Sequence, residues 1–294
     1  MQDNIIGSCG LGVKLEVKGL ASERLWKEIL ENKLLYRFIP NFMEEGQIIA
    51  TLQVINSLGP KEIEFGLSKS FISGTYGKDF NSTDIIVLAE YILERHRQER
   101  SIYTIHSSSI YKGNNGILLL GNLTGAGKTS TALYFTNKLG FFLYSDEKTL
   151  VSAQKKLLVG QTQKIYLEDK TAEALANIGV ESEREISIPK TREKNLSGIV
   201  IPLVTDHLAT PVVKNYAQDQ LKWLLYEEFS KDIRLVNGMI FNMSMPLMPL
   251  DTRELAQERL NRSIELSEII PCYFIQGSLS QIGGLVKELI LKPL

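Results

Sequence analysis

Cysteine is nearly missing from this chain, with two in 294 residues. Cys9 and Cys272 lie far apart in sequence and form no metal-type spacing, so they read as buried or reduced thiols. Net charge is also nearly absent, at −1. That excludes a broad electrostatic affinity for nucleic acid or anionic lipid. No apolar run is long enough to span a membrane. The first residues, MQDNIIGSCGLG, lack the basic region and long apolar core of a signal peptide. The expected compartment is the cytoplasm. Internal repeats and low-complexity tracts are missing too.

What is present fits a protein with a substantial core. Hydrophobic residues make up 44% and charged residues 23%. The length suits one large domain or two of ordinary size.

One stretch, 116–147, organises the rest: GILLLGNLTGAGKTSTALYFTNKLGFFLYSDE. The apolar run Ile117–Leu120 predicts a strand entering a Gly-rich turn that closes on Gly127-Lys128-Thr129. Ala132, Leu133, Phe135 and Leu139 recur at near-helical spacing, and Gly140 ends the helix. Phe141–Tyr144 predicts a second strand, which delivers Asp146 and Glu147. Gly125 and Gly127 can adopt backbone angles closed to other residues, so successive N–H groups can turn toward phosphate oxygens. The helix N-terminus behind them favours anions. Lys128 would reach the terminal phosphates, and the Thr129 hydroxyl would hold Mg²⁺. A carboxylate at the end of the next strand can ligate the metal or accept a proton from an attacking hydroxyl, and spacing alone leaves open which of Asp146 and Glu147 does which. The usual opening glycine is replaced by Asn122, with Gly121 beside it; Asn tolerates left-handed angles better than most residues.

Residues 1–100 read as a separate α/β unit. Gly12–Lys18 and Ile48–Ile55 predict strands, and Lys61–Phe71 alternates. Helices are expected at Glu23–Asn32, capped by Ser22, and at Thr83–Arg100, capped by Ser82. The basic end of the second helix, with Arg95, His96, Arg97 and Arg100, reads as a solvated terminus, with a substrate patch as the alternative. Ile102, Tyr103 and Ile105 predict a strand ending in His106-Ser107-Ser108, and a turn at Gly113–Gly116 returns the chain into the phosphate-loop strand, bringing His106 near the loop. His207, in an apolar context, reads as a satisfied structural histidine. Short strands are expected at Thr149–Ala153, Lys156–Val159, Lys164–Leu167, Ile199–Val204 and Cys272–Ile275. Helices are expected at Glu168–Ile178, Ala217–Phe229, Thr252–Ser267 and Ile282–Leu291. Residues 181–198 read as an exposed loop, either near the active site or a plain linker. Met239–Met248 reads as core filling or a lid.

A histidine on a strand, a hairpin, a phosphate loop ending Gly-Lys-Thr and an acidic pair after the next strand resemble the HPr kinase/phosphorylase catalytic domain. They are most similar to its divergent relatives, the HPr-kinase-like serine kinases, including lasso-peptide kinases. The resemblance covers about residues 100–150. Phosphoenolpyruvate carboxykinases share the topology and are a second relative. The resemblance implies an α/β fold: a P-loop kinase-like catalytic domain at 101–294, of the phosphoenolpyruvate-carboxykinase/HPr-kinase type, preceded by a smaller α/β domain at 1–100. It implies ATP and Mg²⁺ as cofactors. Asn122, Leu123, Thr124, Gly125, Ala126, Gly127, Lys128, Thr129 and Ser130 would bind the nucleotide. Thr129, Asp146 and Glu147 would serve the metal, and Asp146, Glu147, His106 and Lys128 would be catalytic, with His106 near the γ-phosphate. Two features depart from the family. The acidic pair is Asp-Glu and not Asp-Asp, and the downstream glutamate motif and Arg-rich C-terminal signature are missing. The second argues against HPr as substrate and against the reverse phosphorylase reaction.

The expected activity is transfer of the γ-phosphoryl of ATP to a hydroxyl, on a serine or threonine of a peptide or protein or on a small-molecule alcohol. The alternative is an ATP-binding regulatory switch or scaffold with slow ATPase activity; a carboxykinase-like decarboxylase stands third. Expected partners are nucleotide and acceptor, with no nucleic acid and no membrane, and a homo-oligomer is compatible with the chain.

Overall fold

The structure is a computed structural model that describes residues 3–121, 125–180, 183–234 and 250–291. It is mixed α/β and divides into two units. One comprises Met1–Tyr103 and Phe229–Arg259, the other Thr104–Glu228 and Leu260–Leu294. Two stretches singled out in the sequence, Asn122–Thr124 and Met239–Met248, lie outside the described residues.

The first unit runs β1 (Ile5–Ser8), β2 (Leu11–Lys18), α1 (Ser22–Glu31), α2 (Lys33–Phe38), β3 (Phe42–Met43), β4 (Gln47–Asn56), β5 (Glu62–Glu64), β6 (Lys69–Gly74) and α3 (Ser82–Gln98). The strands form one six-stranded sheet in the order β3-β1-β2-β4-β6-β5, parallel through β2, β4 and β6. The alternating stretch 61–71 resolves into two antiparallel strands, β5 and β6. Ile85, Leu88, Ala89 and Ile92 of α3 are buried in one cluster with Val13, Leu15, Leu52 and Val54 of the sheet. That burial, and not propensity, holds a helix of this kind in place.

The helix caps differ from expectation by one residue. Asn81, not Ser82, caps α3, in a reciprocal box with Asp84. Ala21 precedes α1 without a side-chain cap, and Ser22 accepts a bond from Asn4 instead.

The basic end of α3 is not simply solvated. Arg97 is fully buried; its Nη2 lies 2.6 Å from Glu90 and 3.0 Å from Glu94, and its Nη1 donates to Ser8. Arg259 is equally buried and reaches Gln98 at 2.8 Å and Asp251 at 2.6 Å. Gln98 donates to the Phe229 carbonyl, and Tyr103 stacks on the Phe229 ring. These bonds tie residues from 229–259 to α3. The helical period shows that α3 has a buried face; it cannot show that a segment 130 residues away supplies the partners. His96 is also less exposed than its charge run suggests, with Nδ1 on Glu99 and Nε2 on the Leu67 carbonyl.

The second unit contains β7 (Ile102–Ile105), β8 (Ser108–Lys112), β9 (Asn115–Leu119), α4 (Lys128–Lys138), β10 (Phe142–Ser145), β11 (Thr149–Ser152), β12 (Leu157–Gln161), β13 (Lys164–Tyr166), α5 (Asp169–Ala176), β14 (Glu185–Ser187), β15 (Lys194–Val204), β16 (Val212–Asn215), α6 (Gln218–Lys231), α7 (Arg253–Ser267), β17 (Cys272–Gly277) and α8 (Leu279–Leu289), with β7, α6 and α7 crossing the unit boundary. Nine strands make one sheet. Its path is β10-β8-β9-β15-β12-β11-β7, with β17 also on β15 and β16 on β17. β15 branches: its first residues pair with β12, and Ile199–Val204 pair with β17. β9 is parallel to β15 and antiparallel to β8, which is antiparallel to β10. So β9, β10 and β15 all point the same way, and their C-terminal ends share an edge.

Residues 181–198 are more than a loop. β14 pairs with β13, β15 begins at Lys194, and Gln161 grips the backbone of Pro189 and Thr191 between them. His207 is exposed, contrary to the structural role expected for it. Ala132, Leu133 and Phe135 of α4 share a core with Ile117, Leu119, Val200 and Ile275 of the sheet. Among the described residues no helix is long and apolar enough to cross a membrane.

Candidate functional site

The residues of the glycine loop emerge where β9 ends. The Leu120 amide bonds to the Val200 carbonyl, which keeps the loop's entry against β15. Gly125 and Gly127 have φ of 83° and 93°, the left-handed region. At Gly127 a second constraint acts: a Cβ would lie 2.4 Å from Val204 Cγ2 at the end of β15. The Val204 amide donates to the Ala126 carbonyl at 3.3 Å, closing this contact. Directly after Gly127, α4 begins at Lys128. A Cβ on Gly121 would lie 3.2 Å from Lys128 Cγ and Cδ, so the lysine stem folds back over the loop's entry glycine.

Gly127→Ala is expected to destabilise the protein by about 2 kcal/mol or more, from the sum of backbone strain and overlap with Val204. If the loop holds nucleotide, as the sequence leads one to expect, the variant should also lose the rise in melting temperature that MgATP would give the wild type. Thermal melts of both proteins with and without nucleotide check this; a variant that melts and binds like the wild type overturns the assigned loop geometry.

The acidic pair stands at the end of β10, on the edge the loop shares. Asp146 is buried. Thr129, the second residue of α4, donates its hydroxyl to Asp146 Oδ1 at 3.0 Å, with Oδ2 at 3.3 Å. Ser108 donates to the same Oδ1 in a short bond. Burial is the main force that pushes the Asp146 carboxyl up to about 6, and the Glu147 charge adds to it. The Ser108 and Thr129 hydroxyls and Lys128 oppose that rise.

Glu147 is more open, its side chain 30% exposed, and its Oε2 lies 3.9 Å from His106 Nδ1. The His106 side chain is 40% exposed. His106 therefore stands beside the acidic pair, in the break between β7 and β8, where the sequence predicts one strand running on through Ser108. The backbone of Glu147 has φ of 66°, rare for a residue with a side chain. The Ser107 amide donates to the Glu147 carbonyl, binding the histidine's neighbour to the acidic turn.

Of the residues expected from sequence, Gly125, Ala126, Gly127, Lys128, Thr129, Ser130, Asp146, Glu147 and His106 fall within the second unit, and Asn122, Leu123 and Thr124 lie outside the described residues. Three participants escaped the sequence reading. Ser108 hides in a run of serines, Val204 is an ordinary strand valine, and Thr162 stands alone after β12. Lys148, next to the pair, is buried as well. The run Ser107-Ser108-Ser109 was a usable signal, because three hydroxyls in a buried strand need partners. Thr149 meets two of them, at 2.9 Å each.

Among the described residues no group of three or more His, Cys, Asp or Glu is placed to hold a metal. The oxygens at hand are the Thr129 hydroxyl and the buried Asp146 carboxylate. This set fits Mg²⁺, which favours oxygen and takes its other ligands from phosphate and water.

No protein-family model matches the chain, and no curated protein matches it.

Proposed function

We propose that the second unit is an HPr-kinase-like P-loop kinase that moves the γ-phosphoryl of ATP to the hydroxyl of a peptide, protein or small-molecule acceptor. The observation that carries this reading is the Thr129–Asp146 bond. It joins the start of a helix behind a glycine loop to a buried carboxylate on the next strand. In a phosphate loop that hydroxyl and carboxylate serve the same Mg²⁺.

The environments of the two carboxylates support a division of labour. Asp146, closed in by Ser108 and Thr129, suits the metal side. Glu147, open to solvent and beside His106, suits the acceptor. Mg²⁺, when bound, would neutralise charge on the β- and γ-phosphates. Lys128 would hold the terminal phosphates from the helix start. Glu147 would take the proton from the acceptor hydroxyl as its oxygen bonds to the γ-phosphorus and the bond to the ADP oxygen breaks. His106, 3.9 Å from Glu147, would keep it turned toward the acceptor. Positioning and charge neutralisation supply most of such a rate enhancement. A cytoplasmic location fits an ATP-dependent reaction.

The test is incubation with MgATP labelled at the γ-phosphate, beside a panel of serine and threonine peptides and small alcohols. Label should move to an acceptor, and Lys128→Ala should abolish turnover while its melting temperature stays near wild type. ADP release at full rate without transfer to any acceptor would support the slow-ATPase switch instead. Equal turnover in Lys128→Ala would remove the site.

A further inference from the structure

The backbone at the acidic pair is strained, and one residue outside the phosphate loop grips it. The Lys148 amide bonds to the Asp146 carbonyl at 2.8 Å, across Glu147 with its φ of 66°. An i to i+2 bond with a positive central φ is the rarer, strained form of the γ-turn. Such conformations cost about 1–3 kcal/mol and persist only where surroundings over-determine them.

Thr162 supplies that surrounding. It is fully buried, and its hydroxyl accepts the Asp146 amide at 3.0 Å and donates to the Asp146 carbonyl at 2.7 Å. Its own amide donates to Ser145 Oγ at 2.8 Å, and Ser145 in turn donates to the Lys148 carbonyl. One side chain thus holds both main-chain polar groups of Asp146, and through Ser145 it reaches the far end of the turn. Ordinary core packing does not need this double grip. A turn that would otherwise relax does.

We propose that Thr162 is a positioning residue: its hydroxyl clamps the Asp146 backbone and so keeps Glu147 in the strained turn that aims its carboxylate beside His106. The proposal rests on the kinase reading for what the aimed carboxylate does, and on geometry alone for the clamp.

The clamp is tested by a stability cycle that needs no activity. Glu147→Gly relieves the strain and should raise the melting temperature of the ligand-free protein. Thr162→Val keeps the shape of the side chain and removes both bonds, so the turn relaxes without help from glycine. The gain of Glu147→Gly over Glu147→Gln, which leaves out the charge that both remove, should therefore largely disappear in the Thr162→Val background, and it is this gain that is compared between backgrounds. Equal gains in both backgrounds would mean that Thr162 does not hold the strain, and the proposal fails. If Thr162→Val does not fold, Thr162→Ser serves as the second background, because its freer rotamer loosens the same bonds; there the gain should shrink in part, and an undiminished gain again overturns the clamp.

A kinetic arm joins clamp to function. Transfer of the γ-phosphoryl of MgATP to the acceptor panel by Thr162→Val should fall roughly tenfold or more in kcat with KM for nucleotide little changed, the pattern of a misaimed group. Thr162→Ser should recover most of it. A change in KM alone would assign Thr162 to nucleotide binding and overturn the positioning role. If the wild-type protein turns over no ATP, the kinase reading fails while the stability cycle still decides the clamp.

Discussion

Glu147→Gly is expected to make this protein more stable and nearly inactive. The stability gain is about 1 kcal/mol: relief of a positive φ at a residue with a side chain is offset in part by the extra chain entropy of glycine. Loss of the Glu147 charge beside buried Asp146 acts in the same direction, because that charge pushes the Asp146 carboxyl up. The two contributions separate by experiment. Glu147→Gln removes the charge and keeps the strain, so the difference between the two variants reads the backbone alone. Transfer from MgATP should fall about 10²- to 10⁴-fold in both, the scale of losing a general base. A Gly variant no more stable than the Gln variant would show that the turn carries no strain. Full turnover in either variant would place the proton acceptor elsewhere.

Asp146→Asn should show a stability gain that depends on pH. The carboxyl of Asp146 stands at about 6 in the folded protein, against an ordinary value of 3.8. The folded state thus holds this proton more tightly than the unfolded chain does. Stability from this group is greatest below about pH 4, falls as pH rises toward 6, and is level above that. The whole rise corresponds to roughly 3 kcal/mol at neutral pH. Asparagine keeps the shape, accepts the Ser108 and Thr129 hydroxyls at its carbonyl, and never ionises. Ligand-free Asp146→Asn should therefore melt higher than wild type at pH 7.5, and the difference should vanish near pH 4. Turnover should fall about 10²-fold or more if the carboxylate serves the metal. Denaturant melts across pH 4–8 check the first part and labelled transfer the second. A stability difference that does not change with pH would mean that burial of the charge is not what raises this carboxyl.

The stretch 116–147 carried its structure in plain sight. Its apolar runs are strands, its near-helical spacing is α4, and its carboxylates fall at the end of β10, because period and turn residues are local properties of the chain. The strands and helices after Glu147 were mostly legible for the same reason. What the local pattern missed was partnership. The strand after α4 does not lie beside the phosphate-loop strand: β8 is inserted between them, and only the hydrogen-bond ladders settle that. Arg97 looked like a solvated terminus because its partners Glu90 and Glu94 sit on its own helix among charges, and their burial is decided by what packs over them. Thr162 carried no signal, since a lone threonine between two short strands has no period and no motif.

The chain by itself determined where a glycine loop, a lysine, a threonine and two carboxylates fall along the backbone, because turn geometry and hydrophobic period act over a few residues. The tertiary structure alone decided that Asp146 is sealed in against Thr129 and Ser108 while Glu147 stays open beside His106. Two adjacent acidic residues look alike as letters. They differ because a strained turn, gripped by Thr162, sends one side chain inward to hydroxyl donors and leaves the other reachable by solvent.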